Sequence, residues 1–276
     1  MAHYSEALLR AAVAKAGGRL RALDVTGQFA LVDFGRPYGY RGVPGPHCRL
    51  LIDVIMSNSA TLAELRVNTQ FPWCAEDVHL VAYAAPRAMQ LLELSLDIGG
   101  ISDDYQPPCA LLRNEAPFQA VRLVRLHVRR NLFRRNLTDT ADVLAFISDL
   151  RHRASLDFLD LYGVMVDTPA VMGAFVDACI AIRLRSLQLG DCRVVPAVLP
   201  ELTRLIAVGA LQMLFVSDSD IDKAHVQMFD AAHESTWHFV AAVRASDMTR
   251  LVLDGMGVQP ESVVEAAAMI NARLVL

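Results

Sequence analysis

The chain of 276 residues lacks the marks of several protein classes. It has no uninterrupted apolar run of the roughly 18 residues that a membrane-spanning helix requires. Its first ten residues lack the basic segment and apolar core of a secretory signal. The composition, 54% hydrophobic and 20% charged, is too apolar for a disordered chain. A net charge of −4 gives no overall attraction to nucleic acid or an anionic membrane. We therefore expect a folded protein with an extensive core and no membrane segment.

Cysteine is sparse and catalytic motifs are lacking. The five cysteines are widely separated and form no C-x-x-C pair, so neither a disulfide framework nor a zinc knuckle is indicated. Reduced thiols favour a cytoplasmic or nuclear protein. The chain has no G-x-S-x-G, no P-loop and no dinucleotide fingerprint. We therefore predict no cofactor, no catalytic residues and no small-molecule substrate, that is, a protein that is not an enzyme.

A run of aspartates resembles the start of a calcium loop. The carboxylates are Asp218, Asp220 and Asp222. Lys223 stands where the loop needs glycine, and Phe229 stands where it needs a bidentate glutamate. The sequence therefore favours a helix N-cap at Asp222 over a calcium site.

Histidines in the same region resemble a zinc-protease motif. His233, Glu234 and His238 have one residue too many between the histidines to share a helix face. Adding His225 does not improve the spacing, so we predict no metal. A metal-dependent or hydrolase-like enzyme built on this region is the alternative interpretation.

A short apolar pattern recurs along the whole chain. The pattern is apolar-x-x-apolar-x-apolar, and its successive copies start 42, 29, 32, 33, 28, 27 and 37 residues apart. Polar residues alternate with the leucines, which favours a sheet with one open face over a strand buried on both sides. The first residues of the eight copies are Leu20, Leu62, Leu91, Leu123, Leu156, Leu184, Leu211 and Met248. A partial ninth copy ends the chain at Leu274 and Leu276.

Helical patterns follow several copies. Residues 143–150, 171–180 and 263–270 have apolar spacing typical of one helix face, and residues 236–244 favour a further helical segment. Thr168 and Pro169 provide a cap and a first-turn proline. An N-terminal helix over residues 5–16 is predicted to end at Gly17 and Gly18. The repeating unit is thus a strand, a turn and a helix.

These copies resemble leucine-rich repeat proteins, nearest to the ribonuclease-inhibitor-like and F-box-associated subclasses. The resemblance implies an α/β solenoid over residues 1–276, shaped as an arc of about eight to nine repeats. Each repeat would place one parallel strand on the concave face and a helix on the convex face. The family places Asn or Cys after the strand to bond the backbone of neighbouring turns, and Asn131, Cys192 and Ser219 match this position. Gln28, Gln70, Gly99, Val164 and Met256 depart from it.

Two irregular stretches, near residues 27–46 and 99–117, interrupt the repeat. The first holds five glycines and three prolines with aromatics between them. It is either a structural loop over an open end of the repeat array or a binding loop, because aromatic loop residues often contribute to interfaces.

The concave face is the predicted binding surface. Large apolar groups held outward on a rigid sheet are typical interface anchors, although a loop or a second copy of the chain could also cover them. We predict a non-enzymatic interaction module that binds a protein partner there. Because of the resemblance, one specific form is the substrate-recognition part of an F-box-type ubiquitin ligase receptor, although no F-box is recognisable. The predicted binding residues are Arg125, His127, Arg129, Asp157, Phe158, Asp160, Tyr162, Arg185, Gln188, Met213, Phe215 and Arg250.

A basic stretch between Arg122 and Arg135 leaves nucleic-acid binding as a further alternative. Aromatic stacking residues are sparse there and the net charge of the chain is negative, so an acidic protein partner or solvated strand positions are favoured. The helix at the start and the strand at the end are compatible with a segment of a longer protein.

Overall fold

A computed structural model describes residues 17–26, 53–68, 90–97, 122–129, 140–192, 194–217, 233–254 and 260–272, with residues 11, 14, 15 and 229. The chain divides into two compact units, Met1–Asn131 and Leu132–Leu276. The predicted loops near 27–46 and 99–117 lie outside the described residues, as do the predicted backbone-bonding residues Asn131 and Ser219.

In its described residues, the first unit has four parallel strands that lie side by side in chain order. They are β1 (Ala22–Thr26), β2 (Glu64–Asn68), β3 (Gln90–Asp97) and β4 (Arg122–Arg129). Residues 53–57 are helical and precede β2. The predicted stop of the N-terminal helix is confirmed, because Gly17 and Gly18 have φ of 58° and 73°, the left-handed region that favours glycine.

The second unit alternates strands with helices. The four strands that the structure describes here are parallel and neighbour one another in chain order: β5 (Phe158–Tyr162), β6 (Ser186–Gly190), β7 (Met213–Ser217) and β8 (Arg250–Asp254). Its helices are α1 (Thr140–Leu150), α2 (Pro169–Ile182), α3 (Leu199–Val208), α4 (Glu234–Ala245) and α5 (Glu261–Ala272). A 3₁₀ turn, Pro196–Val198, leads into α3.

The strands of the second unit bury every other side chain. Leu159, Leu187, Leu214 and Leu251 are paired across the four strands and are all buried. The positions between the buried rows are partly or fully exposed in most cases. This alternation confirms the prediction that one sheet face is open, and it places the core between the leucine face and the helices.

The entries to four strands, β2 in the first unit and β6, β7 and β8 in the second, are built in the same way. The carbonyl of Asp157 accepts the N–H groups of Arg185 and Ser186, at 3.2 and 2.9 Å. The carbonyls of Arg21, Arg185 and Gln212 each accept two consecutive N–H groups from the next described copy in the same way. In every case the acceptor is the second residue of an apolar-x-x-apolar-x-apolar copy. The sequence period therefore corresponds to a repeated backbone arrangement.

The predicted start of α2 is confirmed. Thr168 is its N-cap, and its hydroxyl accepts the N–H of Val171 at 3.3 Å, with Pro169 in the first turn. The predicted helix at residues 236–244 is also confirmed, within α4. Two predicted inward positions are wrong: Leu144 is 39% exposed and Val264 is 50% exposed. In each helix the residues that reach the core lie on the adjacent stripe, as Phe146 and Val263 do.

Ion pairs connect the helices on their outer side. Arg204 of α3 donates to Asp177 of α2 at 2.7 Å and to Glu201 at 2.8 Å. A third bond, at 3.2 Å, reaches the carbonyl of Gly173. The two carboxylates raise the pKa of Arg204, with the Asp177 hydrogen bond the largest cause. This cluster holds α2 against α3 away from the open sheet face.

Side chains also satisfy backbone groups between elements. The thiol of Cys192, which follows β6, lies 3.3 Å from the carbonyl oxygen of Leu161 in β5 and 3.2 Å from that of Gly190. The carboxamide of Asn271, near the end of α5, accepts the N–H of Leu251 at 3.0 Å and donates to the carbonyl of the same residue at 2.8 Å. Among the described helices, none has the length and apolar character needed to cross a bilayer.

Candidate functional site

The open face of the second unit consists of three rows of outward side chains. The first row runs Phe158, Ser186, Met213, Arg250 across the strands, as the pairing register requires. The second row runs Asp160, Gln188, Phe215, Val252, and the third runs Tyr162, Gly190, Ser217, Asp254. Seven of the nine binding residues predicted in this unit belong to these rows, and the eighth, Arg185, directly precedes β6. Asp157, the ninth, directly precedes β5.

A depression of about 150 Å³ lies where the first two rows cross β5 to β8. Ser186 is short and stands between Phe158 and Met213 in the register, so it leaves room at the centre of the row. The lining residues are Phe158, Ser186, Leu187, Gln188, Met213, Leu214, Phe215, Arg250 and Val252. Apolar walls with few polar groups are typical of binding sites.

Phe158 is the most enclosed of the predicted anchors. Phe158 is only 8% exposed, whereas Met213 and Phe215 are half-buried. Phe158 therefore forms a wall of the depression, and its truncation would cost folding stability as well as surface area. Met213 and Phe215 offer apolar surface to a partner at a smaller cost to the core.

Tyr162 lies over a glycine in the third row. A Cβ atom at Gly190 would stand 2.8 Å from Cδ2 of the Tyr162 ring, closer than real Cβ contacts allow. Glycine at this position therefore lets the half-buried ring lie across the neighbouring strand. The ring forms a flat aromatic surface at the end of the strands opposite Arg250.

The charges on this face are unequally partnered. Arg185 Nε lies 3.6 Å from Asp157 Oδ1, an ion pair between residues that precede neighbouring strands. Both side chains are more than half exposed, so the pair contributes little to stability. Within the described part of the chain, no carboxylate lies within ion-pair distance of the exposed Arg250. Asp254 is exposed at the other end of β8.

The first unit carries three of the predicted binding residues, all on β4. Arg125 is exposed and pairs in register with Glu93. His127 is buried at 8% exposure, between the buried Leu126 and Val128. Arg129 lies at the end of β4, where only the backbone is described. The rest of the basic stretch, from residue 130 to 135, lies outside the described residues.

The two described cysteines are unsuited to nucleophilic chemistry. Burial raises the pKa of the Cys192 thiol to about 12, and it raises the pKa of the Cys179 thiol still further above its usual range. Both thiols are enclosed by the core. A neutral, buried thiol is a poor nucleophile, so these residues have structural roles.

The histidines near α4 are engaged in local structure. His233 is the N-cap of α4, where Nδ1 accepts the N–H of Ser235 at 3.2 Å and lies 2.7 Å from its hydroxyl. His238 lies one turn from Glu234, at 3.5 Å, on the exposed side. Within the described ranges, no three His, Cys, Asp or Glu side chains gather as a metal would require. The predicted alternatives at Asp218, Asp220, Asp222 and His225 lie outside those ranges.

Sequence reasoning missed Ser186 and Val252. Both line the depression, and Ser186 is the shortest side chain among its lining residues. A small residue at an outward position of β6, flanked in the register by Phe158 and Met213, is visible only once the strands are aligned by their leucines. The positions of the leucines in the sequence define that alignment, so the sequence does contain a signal for Ser186.

No protein-family profile matches the chain, and no curated protein is significantly similar to it.

Proposed function

We propose that the protein is a non-enzymatic, leucine-rich-repeat-like interaction module that binds a protein partner on the open sheet face of its second unit. The observation that carries this proposal is the set of outward apolar residues around the depression, among them the half-buried Met213 and Phe215. Rigid sheets that hold aromatic and Met side chains outward are typical of interface cores.

The repeated strand entries support the solenoid part of the proposal. The same two-bond acceptor recurs at Arg21, Asp157, Arg185 and Gln212, the second residues of four of the eight sequence copies. Cys192 bonds the neighbouring turn as the family resemblance predicts. A single strand-turn-helix unit cannot bury its own apolar surfaces, whereas stacked units share a core. An arc of such units over residues 1–276 and the narrower ubiquitin-ligase role stay predictions.

A paired-variant capture experiment tests the proposal. The tagged full-length chain is compared with the double variant Met213→Ala/Phe215→Ala, which removes apolar surface from the open face. The matched control is Trp237→Ala, because Trp237 is 55% exposed on α4, in the helical layer. Proteins retained by each form are identified by mass spectrometry, and binding is then measured with the purified partner by calorimetry.

We expect the purified partner to bind the double variant at least tenfold more weakly, and to bind Trp237→Ala as tightly as the unmodified chain. Far-UV circular dichroism and urea unfolding establish that both variants fold. Equal binding by the double variant would place the interface elsewhere. Loss of partner binding in Trp237→Ala alone would assign the interface to the helices.

A further inference from the structure

We propose that the depression on the open sheet face receives a short extended peptide segment of the partner, which places one ring-sized apolar side chain over Ser186 and a carboxylate on Arg250. This inference rests on the proposed function and adds the chemistry of the ligand. Three properties of the depression lead to it: its size, its polar groups and its charge.

The size of the depression fits one apolar side chain. A dry cavity of about 150 Å³ is known to accept a benzene-sized molecule, and the depression here has about that volume. Its apolar walls are Phe158 on one side and Met213 and Phe215 on the other. A single Phe, Tyr, Leu or Met side chain would fill it, whereas a folded surface without a protruding side chain would leave it empty.

The centre of the depression offers hydrogen bonds that suit a peptide backbone. Within the described residues, neither the hydroxyl of Ser186 nor the carboxamide of Gln188 has a side-chain partner. A carboxamide both donates and accepts, so Gln188 can pair with the N–H and C=O of one extended residue. These polar groups lie beside the apolar walls, as a ligand side chain attached to a peptide would need.

The charge of the depression is carried by Arg250. Arg185 is occupied by Asp157 at 3.6 Å, whereas no described carboxylate lies within ion-pair distance of Arg250. Arg250 also lines the depression, one strand beyond Met213 in the first row. Neighbouring strands lie about 4.8 Å apart, so a carboxylate one or two residues from the buried side chain reaches the guanidinium. Arginine binds carboxylates in a bidentate manner.

A peptide fits this surface better than a nucleic acid does. Nucleic-acid binding needs a series of cations that follow the phosphate backbone. The depression has one arginine, and the same face carries Asp160 and Asp254. These carboxylates would repel a polyanion but leave room for a segment with one negative charge at the Arg250 end.

The test uses a phage-displayed library of random linear peptides selected on the full-length chain. We expect the enriched peptides to combine an aromatic, Leu or Met residue with an Asp or Glu within two positions. One such peptide and its Asp→Asn or Glu→Gln counterpart are then synthesised. Their dissociation constants are measured against the unmodified chain and against Arg250→Gln, with Arg185→Gln as the matched control.

We expect Arg250→Gln to raise the dissociation constant of the acidic peptide at least fivefold and that of its neutral counterpart less than twofold. Arg185→Gln should change neither by more than twofold. Ser186→Leu, which fills the depression, should raise the dissociation constants of both peptides at least tenfold. If Ser186→Leu fails to fold, the Arg250→Gln comparison decides alone, because Arg250 is an exposed side chain.

The outcomes separate this inference from the proposed function. One outcome is that peptide binding is lost in Met213→Ala/Phe215→Ala but is unchanged in Arg250→Gln. This outcome would overturn the peptide-carboxylate inference and leave the proposed binding face intact. The peptide inference would also be overturned if no peptide is enriched while the double variant still reduces capture of the partner. If no open-face variant changes the binding of the peptides or of the partner, both the peptide inference and the proposed function are overturned. Tighter binding of a dT15 oligonucleotide than of any peptide would assign the face to nucleic acid.

Discussion

The Sγ atom of Cys192 lies 3.3 Å from the carbonyl oxygen of Leu161, one strand-turn-helix unit earlier in the chain. The thiol is a weak donor, yet it is the group that reaches this carbonyl from the following turn. Cys192 is fully enclosed, so it must stay protonated to make the contact. One contact between two successive turns therefore depends on the protonation state of this side chain.

This dependence predicts that stability falls at alkaline pH. The folded-state pKa of Cys192 is raised from 9.0 to about 12. The unfolded thiol ionises near its ordinary pKa, so the stabilisation is complete below about pH 9 and is lost as the pH rises toward 12. When the pH is raised from 8 to 10, the free energy of unfolding in urea should fall by about 1 kcal/mol more for the unmodified chain than for Cys192→Ser. An equal loss in both chains would contradict the assignment.

A second prediction concerns Gly190 and Tyr162. Alanine in place of glycine in a strand ordinarily stabilises a protein by about 0.5–1 kcal/mol. Here the added Cβ would meet the Tyr162 ring at 2.8 Å, so we expect Gly190→Ala to destabilise by about 1–2 kcal/mol. In a Tyr162→Ala background the same substitution should be neutral or stabilising. A double-mutant cycle by urea unfolding measures this coupling, and additive effects would refute the ring contact.

A third prediction concerns the cap of α2. Thr168→Ala removes the acceptor for the N–H of Val171 and should lower the free energy of unfolding by about 1 kcal/mol. Thr168→Asp keeps an acceptor and should retain most of the stability. Thr203→Ala is the matched control, since the Thr203 hydroxyl bonds the Leu199 carbonyl within a helix and caps no N–H. Equal effects of Thr168→Ala and Thr203→Ala in thermal unfolding would argue against the cap.

A fourth prediction concerns the ion pairs between α2 and α3. Arg204→Gln should lower stability by about 0.5–1 kcal/mol at low salt, a modest value because Arg204 is 39% exposed. In 1 M NaCl the difference should largely disappear, because salt screens exposed charges. Arg151→Gln, whose guanidinium is 3.8 Å from Asp177, should have a smaller effect. A salt-independent loss would instead indicate packing by the Arg204 stem.

Much of the secondary structure could be predicted from the sequence because the apolar period reports burial directly. The leucines of β5 to β8 alternate as predicted, and the start of α2 follows from a threonine and a proline. Phe158 was expected to be an exposed anchor and is nearly enclosed, because its neighbours across the strands determine its exposure. Such neighbours are separated by unequal numbers of residues along the chain, so they are visible only after alignment.

The site was less predictable than the fold. Val264 has helical spacing suited to burial but is half exposed, because the direction in which α5 faces depends on α4 and β8 rather than on its own sequence. His233 was considered as a metal ligand and is a helix cap, a role that depends on the N–H of Ser235. The depression depends on one short side chain, Ser186, between two long ones. Cross-strand effects of this kind become visible in the sequence only when the strands are aligned by their leucines.

The bond from Asn271 to Leu251 has a consequence for self-association. Its carboxamide gives the N–H and C=O of Leu251 the same pair of hydrogen bonds that a further strand would supply. An unpaired strand margin is a template on which a second molecule can add a strand and begin aggregation. At Leu251 that template is already occupied by the protein's own helix. At this position of β8, protection against strand addition therefore comes from the side chain of Asn271.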